Sequence, residues 1–369
     1  MEANQQRGAS ASASASITSN MIMPKDIPFV GDIDLETRIK NIHVPKTRPT
    51  ILVAEDMTRP DFIVCTMLLT HLIEQVGKEN IILVIGNGMH RAPARDELMR
   101  KFGWQVQWVR TFFNNPLCNT EWLEDLKKKE DGYVISMSTT FPHMHVGMSG
   151  GDKVILPGCS HWSAIRHFHS SERIHAKRVM REAGESIIDF YVCAVLNWQN
   201  VCIDIFCGSV PYHLDAFRER ARNYFKVTIP ECLPTAAILE PTIKTFDFEQ
   251  CMNVFNIIRS GGTEKQIVAK GGVMAVIANP LDGMGVHYMF QAMNGISPVY
   301  FDEVFAKELK DRHIVIISHN LAENAIQDFF KTKILLFRTT EDFKLFITAK
   351  FGSSATINHY ISPETMIGE

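Results

Sequence analysis

From Thr50 onward the chain alternates short, wholly apolar runs with stretches in which apolar residues recur every three to four positions. That rhythm restricts it to a layered α/β fold built on mostly parallel sheets. Residues 51–54, 81–85, 106–109 and 133–136 read as strands, and Phe62, Val64, Leu68, Leu69, Leu72 and Val76 share one helix face that ends at Gly77. Further helices are expected at 94–101 and 121–129. Residues 187–195 and 201–207 read as a strand pair joined through 197–200, and 215–225 and 248–258 read as helices. The double glycine Gly271-Gly272 opens a strand at 273–278, and others are expected at 314–318, 333–337 and 346–349. The arrangement predicts two α/β domains, at 22–245 and 246–369, with the active site in the cleft between them.

A disordered tail is expected at 1–21, where an Ala/Ser repeat lacks the apolar centre of a secretory signal. With 369 residues, 46% of them hydrophobic, the chain can bury two cores. A formal net charge of -3 points away from nucleic-acid and membrane partners and toward a small molecule. Eight cysteines without a CxxC pair suggest reduced thiols and a cytoplasmic protein. The oligomeric state is not legible.

In open parallel sheets the functional loops gather at the carboxyl ends of the strands. The loops after Ala54, Ile85 and Ser136 should therefore share one rim. The first carries Asp56, Thr58 and Arg59 ahead of a helix, a setting that suits either an anion site or a simple N-cap with a solvated arginine. The second sets His90 and Arg91 after Gly86-Asn87-Gly88, suited to acid/base work and anion binding. The third, residues 141–158, crowds four glycines after position 146 and two prolines around His143, His145 and Lys153. Such a backbone fits either around a cofactor or into a Gly-rich surface turn. His161, His167, His169 and His175 follow within a few turns of chain, and imidazole is a common ligand for nickel, zinc and iron.

These segments together resemble the lactate racemase family. Asp56-Met57-Thr58-Arg59-Pro60 is similar to its D-x-T-R-P loop, and Gly88-Met89-His90-Arg91 to its G-T-H-R motif with methionine for threonine. Pro142-His143, Gly147, Ser149-Gly150-Gly151, Lys153 and Pro157-Gly158 match its longest signature, which fixes a histidine and a lysine ten positions apart. The resemblance implies a racemase or epimerase of a 2-hydroxy acid that uses a nickel-pincer nucleotide. It implies that Lys153 tethers the cofactor, Asp56, Thr58 and Arg59 help to hold it, His169 ligates nickel, and His90 and His143 act as acid and base. It also implies dependence on the enzymes that make the cofactor. Gln250 and Asn253 align with a family Q-x-x-K pair, so a lysine expected beside the substrate carboxylate is an asparagine here. With Arg59, these are the substrate-binding candidates. Asp152 puts a carboxylate where a neutral or basic neighbour of the tether is expected, suggesting a changed substrate or cofactor contact.

Two other readings compete. His143, His145, His167 and His169 form two H-x-H pairs, whose rings would point to one side of a strand and could hold the zinc or iron of a hydrolase. A non-catalytic nucleotide-binding homologue is the other. A simple NAD-dependent dehydrogenase fits poorly, because no G-x-G-x-x-G follows the first strand.

Overall fold

The computed structural model describes residues 17–25, 35–115, 122–143, 145–242, 246–259, 266–285, 311–330 and 333–369. Most of the tail expected at 1–21 lies outside them. Strand β1 (Thr18–Ile22) begins the described chain and belongs to the second of two six-stranded sheets.

The first sheet contains β2 (Thr50–Glu55), β3 (Ile81–Gly86), β4 (Arg110–Phe113), β5 (Tyr133–Thr140), then β8 (Phe190–Leu196) and β9 (Cys202–Gly208), after the short hairpin β6 (Pro142–His143) and β7 (Gly147–Met148). Its spatial order is β4-β3-β2-β5-β8-β9, parallel except for the final β8–β9 pair. The apolar runs are continuous because both faces are covered. Successive residues of β2 enter opposite cores, Leu52 and Ala54 packing with Leu68 and Leu72, and Ile51 and Val53 with Phe217 and Ile187.

After β10 (Lys226–Val227), the second sheet contains β11 (Ala236–Glu240), β12 (Val273–Ile277), β13 (His313–Ile317), β14 (Leu335–Phe337) and β15 (Thr356–Ile361). All its pairs are parallel, and β1 lies at its edge against β15. Ala237 and Leu239 face a core containing Phe248 and Phe255, and Ala236 and Ile238 face one containing Phe343 and Ile347. Two α/β bodies with mostly parallel sheets were expected, and two are found. The second sheet nevertheless recruits residues 18–22 and 236–240, which lie ahead of the boundary read at 246.

Several local readings are corrected. Residues 106–109 do not form the third strand; Trp104–Trp108 is a 3-10 turn and pairing begins at Arg110. The apolar residues 346–349 lie in the helix Thr340–Phe351, whose start is fixed by Thr339 accepting from the Asp342 amide at 3.1 Å. Residues 187–189 precede rather than begin β8, because the helix Arg173–Ile187 runs up to them. Among the described residues no helix is long and apolar enough to cross a membrane.

Candidate active site

The loops after β2, β3 and β5 do share the carboxyl rim of the first sheet, and they open into one cleft. Asp56, Thr58, Arg59, His90, His143, Lys153, His169, Gln250 and Asn253 all line it. It encloses about 1050 Å3, open mouth included.

The first loop is held by its own side chains and from beneath. Asp56 Oδ1 accepts from the Thr58 amide at 3.0 Å and the Thr58 hydroxyl at 2.5 Å, and Arg59 donates to Thr58 Oγ1 at 2.8 Å. Below it Lys101, fully buried, donates to the carbonyls of Asp56 at 2.7 Å and Arg59 at 3.1 Å, and pairs with the equally buried Asp61 at 2.6 Å. Lys101 escaped the sequence reading because a lysine near a helix end reads as a solvated charge. Glu55, at the end of β2, accepts from the Thr139 amide at 2.7 Å and lies 3.8 Å from Arg59. Burial pushes its carboxyl up against the opposing pull of Arg59.

Asp56 also orients His90. Its Oδ2 is 2.6 Å from Nδ1, so a proton on that nitrogen leaves Nε2 as the basic one. Burial would raise the Asp56 carboxyl, but the charge and hydrogen bond of His90, helped by Arg59, hold it well below the usual carboxylate range. The turn carrying His90 sits close on the third loop. The Gly88 amide donates to the Gly158 carbonyl at 2.7 Å, and a Cβ on Gly86 would come within 2.9 Å of the Val154 carbonyl. Arg91 is not an anion site in the cleft. It forks onto Glu97 at 2.7 and 2.8 Å and reaches Asp282 of the second body at 2.6 Å.

His143 has the opposite tautomer preference. Its Nδ1 accepts from the amides of His145 at 3.2 Å and Val146 at 3.4 Å, which puts the ring proton on Nε2. Burial, then the nearby Lys153 charge, holds the ring well below its ordinary range and therefore neutral. The Lys153 ammonium has no hydrogen bond or ion pair among the described residues. Burial and Arg59, opposed by Glu55 and Asp56, bring it down to about 8.

Asp152 does not face the cleft. Tyr191 donates to it at 2.9 Å and Arg218 at 3.3 Å, on the far side of the 3-10 turn Gly151–Val154. Gly184 makes room for it, since any Cβ there would overlap the Asp152 carboxylate. Its charge therefore carries no message about substrate.

The helix Trp162–Ser170 brings His169 to the cleft, and its Nδ1 lies 2.8 Å from the Ile165 carbonyl. With the proton fixed there, Nε2 presents a lone pair. Burial, with His145, pushes this ring down to about 3. The helix also separates the H-x-H pair, because two residues turn the ring by about 200°. His167 is exposed and meets His175 at 3.4 Å, while the buried His145 binds the Phe168 carbonyl at 2.8 Å. Among the described residues no cluster of three or more His, Cys, Asp or Glu side chains could hold a metal unaided. The four-histidine hydrolase site is not assembled.

The opposite wall comes from the second body, where Phe248–Cys251, a 3-10 turn at Met252–Phe255 and Asn256–Arg259 follow one another. Gln250 is 7% exposed; its Oε1 accepts from the Phe246 amide at 2.7 Å, and its Nε2 has no acceptor among the described residues. A buried donor without a partner is costly, and a ligand oxygen would satisfy it. These observations fit a bound group. Lys153 and the His169 Nε2 offer an attachment point and a ligand atom, with Gly86 keeping the backbone close.

The lactate racemase N-terminal domain model matches residues 35–181. The lactate racemase of Lactiplantibacillus plantarum is 21% identical over 316 residues, covering 73% of each chain. That of Thermoanaerobacterium thermosaccharolyticum is 27% identical over 264 residues, 64% of this chain and 61% of that protein. The structure of the latter's apoprotein matches with a TM-score of 0.67 at 17% identity, over 96% of this chain and 94% of the other. A Thermotoga maritima crystal structure matches with a TM-score of 0.63 at 12% identity, over 91% and 96%. Residues 35–181, which carry His90, His143, Lys153 and His169, therefore match the lactate racemase N-terminal domain, and the chain as a whole is similar to lactate racemases.

Proposed function

We propose that the protein is a racemase or epimerase of a small 2-hydroxy acid, working with a nickel-pincer nucleotide tethered through Lys153. His169 would ligate nickel through Nε2, and Asp56, Thr58 and Arg59 would help to hold the group. The observation that carries the reading is the convergence of His90, His143, Lys153 and His169 on one cleft, with a lysine amine that makes no hydrogen bond or ion pair among the described residues. The two relatives named lactate racemase support the reaction class.

When bound, the cofactor supplies an acceptor and donor for the hydride of the substrate carbon. The protein's part is proton handling and positioning. His90, oriented by Asp56, takes the hydroxyl proton at Nε2, as a base within reach of a polarised O–H can. His143 presents Nε2–H to the substrate oxygen when the planar keto acid turns its other face. Converting Lys153 to a neutral tether removes one charge that keeps His143 unprotonated, so tethering and His143 acidity are linked. Gln250 Nε2 and Asn253 offer dipolar donors to the substrate, and Arg59 offers a charge. Asn253 makes a substrate other than lactate part of the reading.

The test is protein made alongside the cofactor-biosynthesis enzymes, examined by intact mass, nickel content and chiral chromatography over short 2-hydroxy acids. An added mass and racemisation that both vanish in Lys153→Ala are expected. Full racemisation by that variant would overturn the tether.

A further inference from the structure

The second body also reaches the backbone that carries His143. Asn256, 1% exposed, donates from Nδ2 to the carbonyl of Pro142 at 2.9 Å and to that of Glu364 at 3.0 Å. Both partners only accept, so the side-chain amide is fixed with its two N–H groups facing them. A carboxylate of the same shape would set oxygen against oxygen. Pro142 opens the hairpin of β6 and β7 and is the residue immediately before His143. On the side of the first sheet the root of that hairpin is tied by Ser149, whose amide donates to the Phe141 carbonyl at 2.9 Å and whose hydroxyl donates to the Thr139 carbonyl at 3.1 Å. Within the hairpin the His143 ring accepts from the amides of His145 and Val146, so ring and turn move as one piece. Asn256 ties that piece to the second body. The far end of the tie is firm: Glu364, 3% exposed, accepts at Oε1 from the Thr242 amide at 2.8 Å and the Ser362 hydroxyl at 3.1 Å.

We propose that Asn256 is a positioning residue for His143, an inference that rests on the acid/base role read for that histidine. Its side-chain nitrogen is spent on backbone carbonyls, so it acts through the hairpin and not on the substrate. Asn256 also lies three residues beyond Asn253, which lines the cleft. A ligand held by Asn253 therefore bears on the same short segment that sets His143, and substrate and acid are brought into register through three residues of chain.

The experiment compares Asn256→Asp with Thr242→Val, which removes a hydroxyl bonded to Ser362 at 2.8 Å and to the Trp198 carbonyl at 3.4 Å, in the same seam but not on the hairpin. Melting curves confirm that each variant is folded. In the apo protein, amide exchange at His145 and Val146 should quicken about tenfold in Asn256→Asp, as when a buried carbonyl loses its donor, and stay within about twofold of the parent in Thr242→Val. In the cofactor-loaded enzyme kcat should fall about 10–100-fold in Asn256→Asp with KM nearly unchanged, the signature of a misplaced reacting group. Asn256→Ser, which keeps one donor, should show both changes at smaller size and serves if the aspartate variant does not fold. Unchanged exchange at the two amides, equal exchange in Asn256→Asp and Thr242→Val, or an unmoved kcat in Asn256→Asp would each overturn the proposal. His143→Gln separates it from the reading beneath. Full racemisation by that variant removes the acid/base role itself, whereas its loss of activity beside an unimpaired Asn256→Asp removes only the positioning.

Discussion

The two walls of the cleft are built differently. The wall from the first sheet is dense with ionisable groups, several of them held in place: Lys101 by Asp61 beneath the first loop, His90 by Asp56, and Glu55 by the Thr139 amide. The wall from the second body contributes Gln250, Met252 and Asn253 from short, broken helical turns, along with Glu249. One wall is preorganised for proton chemistry, where electrostatics are worth most when fixed in advance. The other offers neutral donors whose pairing awaits a ligand, an arrangement that suits selection.

That contrast is open to attack, beginning with the first wall. His90→Gln should lower kcat by about 10²–10⁴, the usual worth of a positioned base, with little change in KM; steady-state kinetics on the loaded enzyme decide it. An equal kcat loss in Asn253→Ala would dissolve the division of labour. Lys101→Met leaves Asp61 as a buried, unpaired charge and should cost about 3–5 kcal/mol, read from denaturant melts. A loss under about 1 kcal/mol, the scale of an exposed pair, would mean that the loop is not held from below.

The third prediction concerns pH. Lys153 is brought down to about 8 from 10.5, so in the apo protein its amine becomes nucleophilic as pH rises through about 8. Acylation by an amine-directed reagent, followed by mass spectrometry, should show that midpoint for Lys153 while exposed lysines react only at higher pH. Arg59→Gln removes a charge that depresses it and should move the midpoint upward. The smallest effect is expected on the second wall. Asn253→Lys adds one cation facing the substrate and should lower KM for 2-hydroxy acids by about 5–10-fold, the worth of a charged hydrogen bond over a neutral one. If KM is unmoved, Asn253 does not meet the substrate.

Sequence periodicity exposed the first sheet well because β2, β3 and β5 are covered on both faces and read as unbroken apolar runs. Motif spacing likewise brought the four central residues to light, since a glycine framework around His143 and Lys153 is rare. What was hidden depends on partners distant in sequence. β15 carries polar Asn358 and His359 within its run, and its identity as a strand comes from β1 and β11 on either side. Residues 346–349 look like a strand until the Thr339 cap decides for helix. Arg91 and Asp152 looked functional for the same reason that Lys101 did not: charge alone says nothing about the direction in which a side chain points.

The Arg91 contact has one more consequence. The residue next to the base is fastened at once to Glu97 on its own side and Asp282 across the gap. Any opening of the mouth must therefore stretch a link attached one peptide away from His90, so admission of substrate and alignment of the base become a single mechanical event. Because that link is only half-shielded, added salt should loosen it. Ionic strength would then act as a throttle on entry, without touching the reacting atoms.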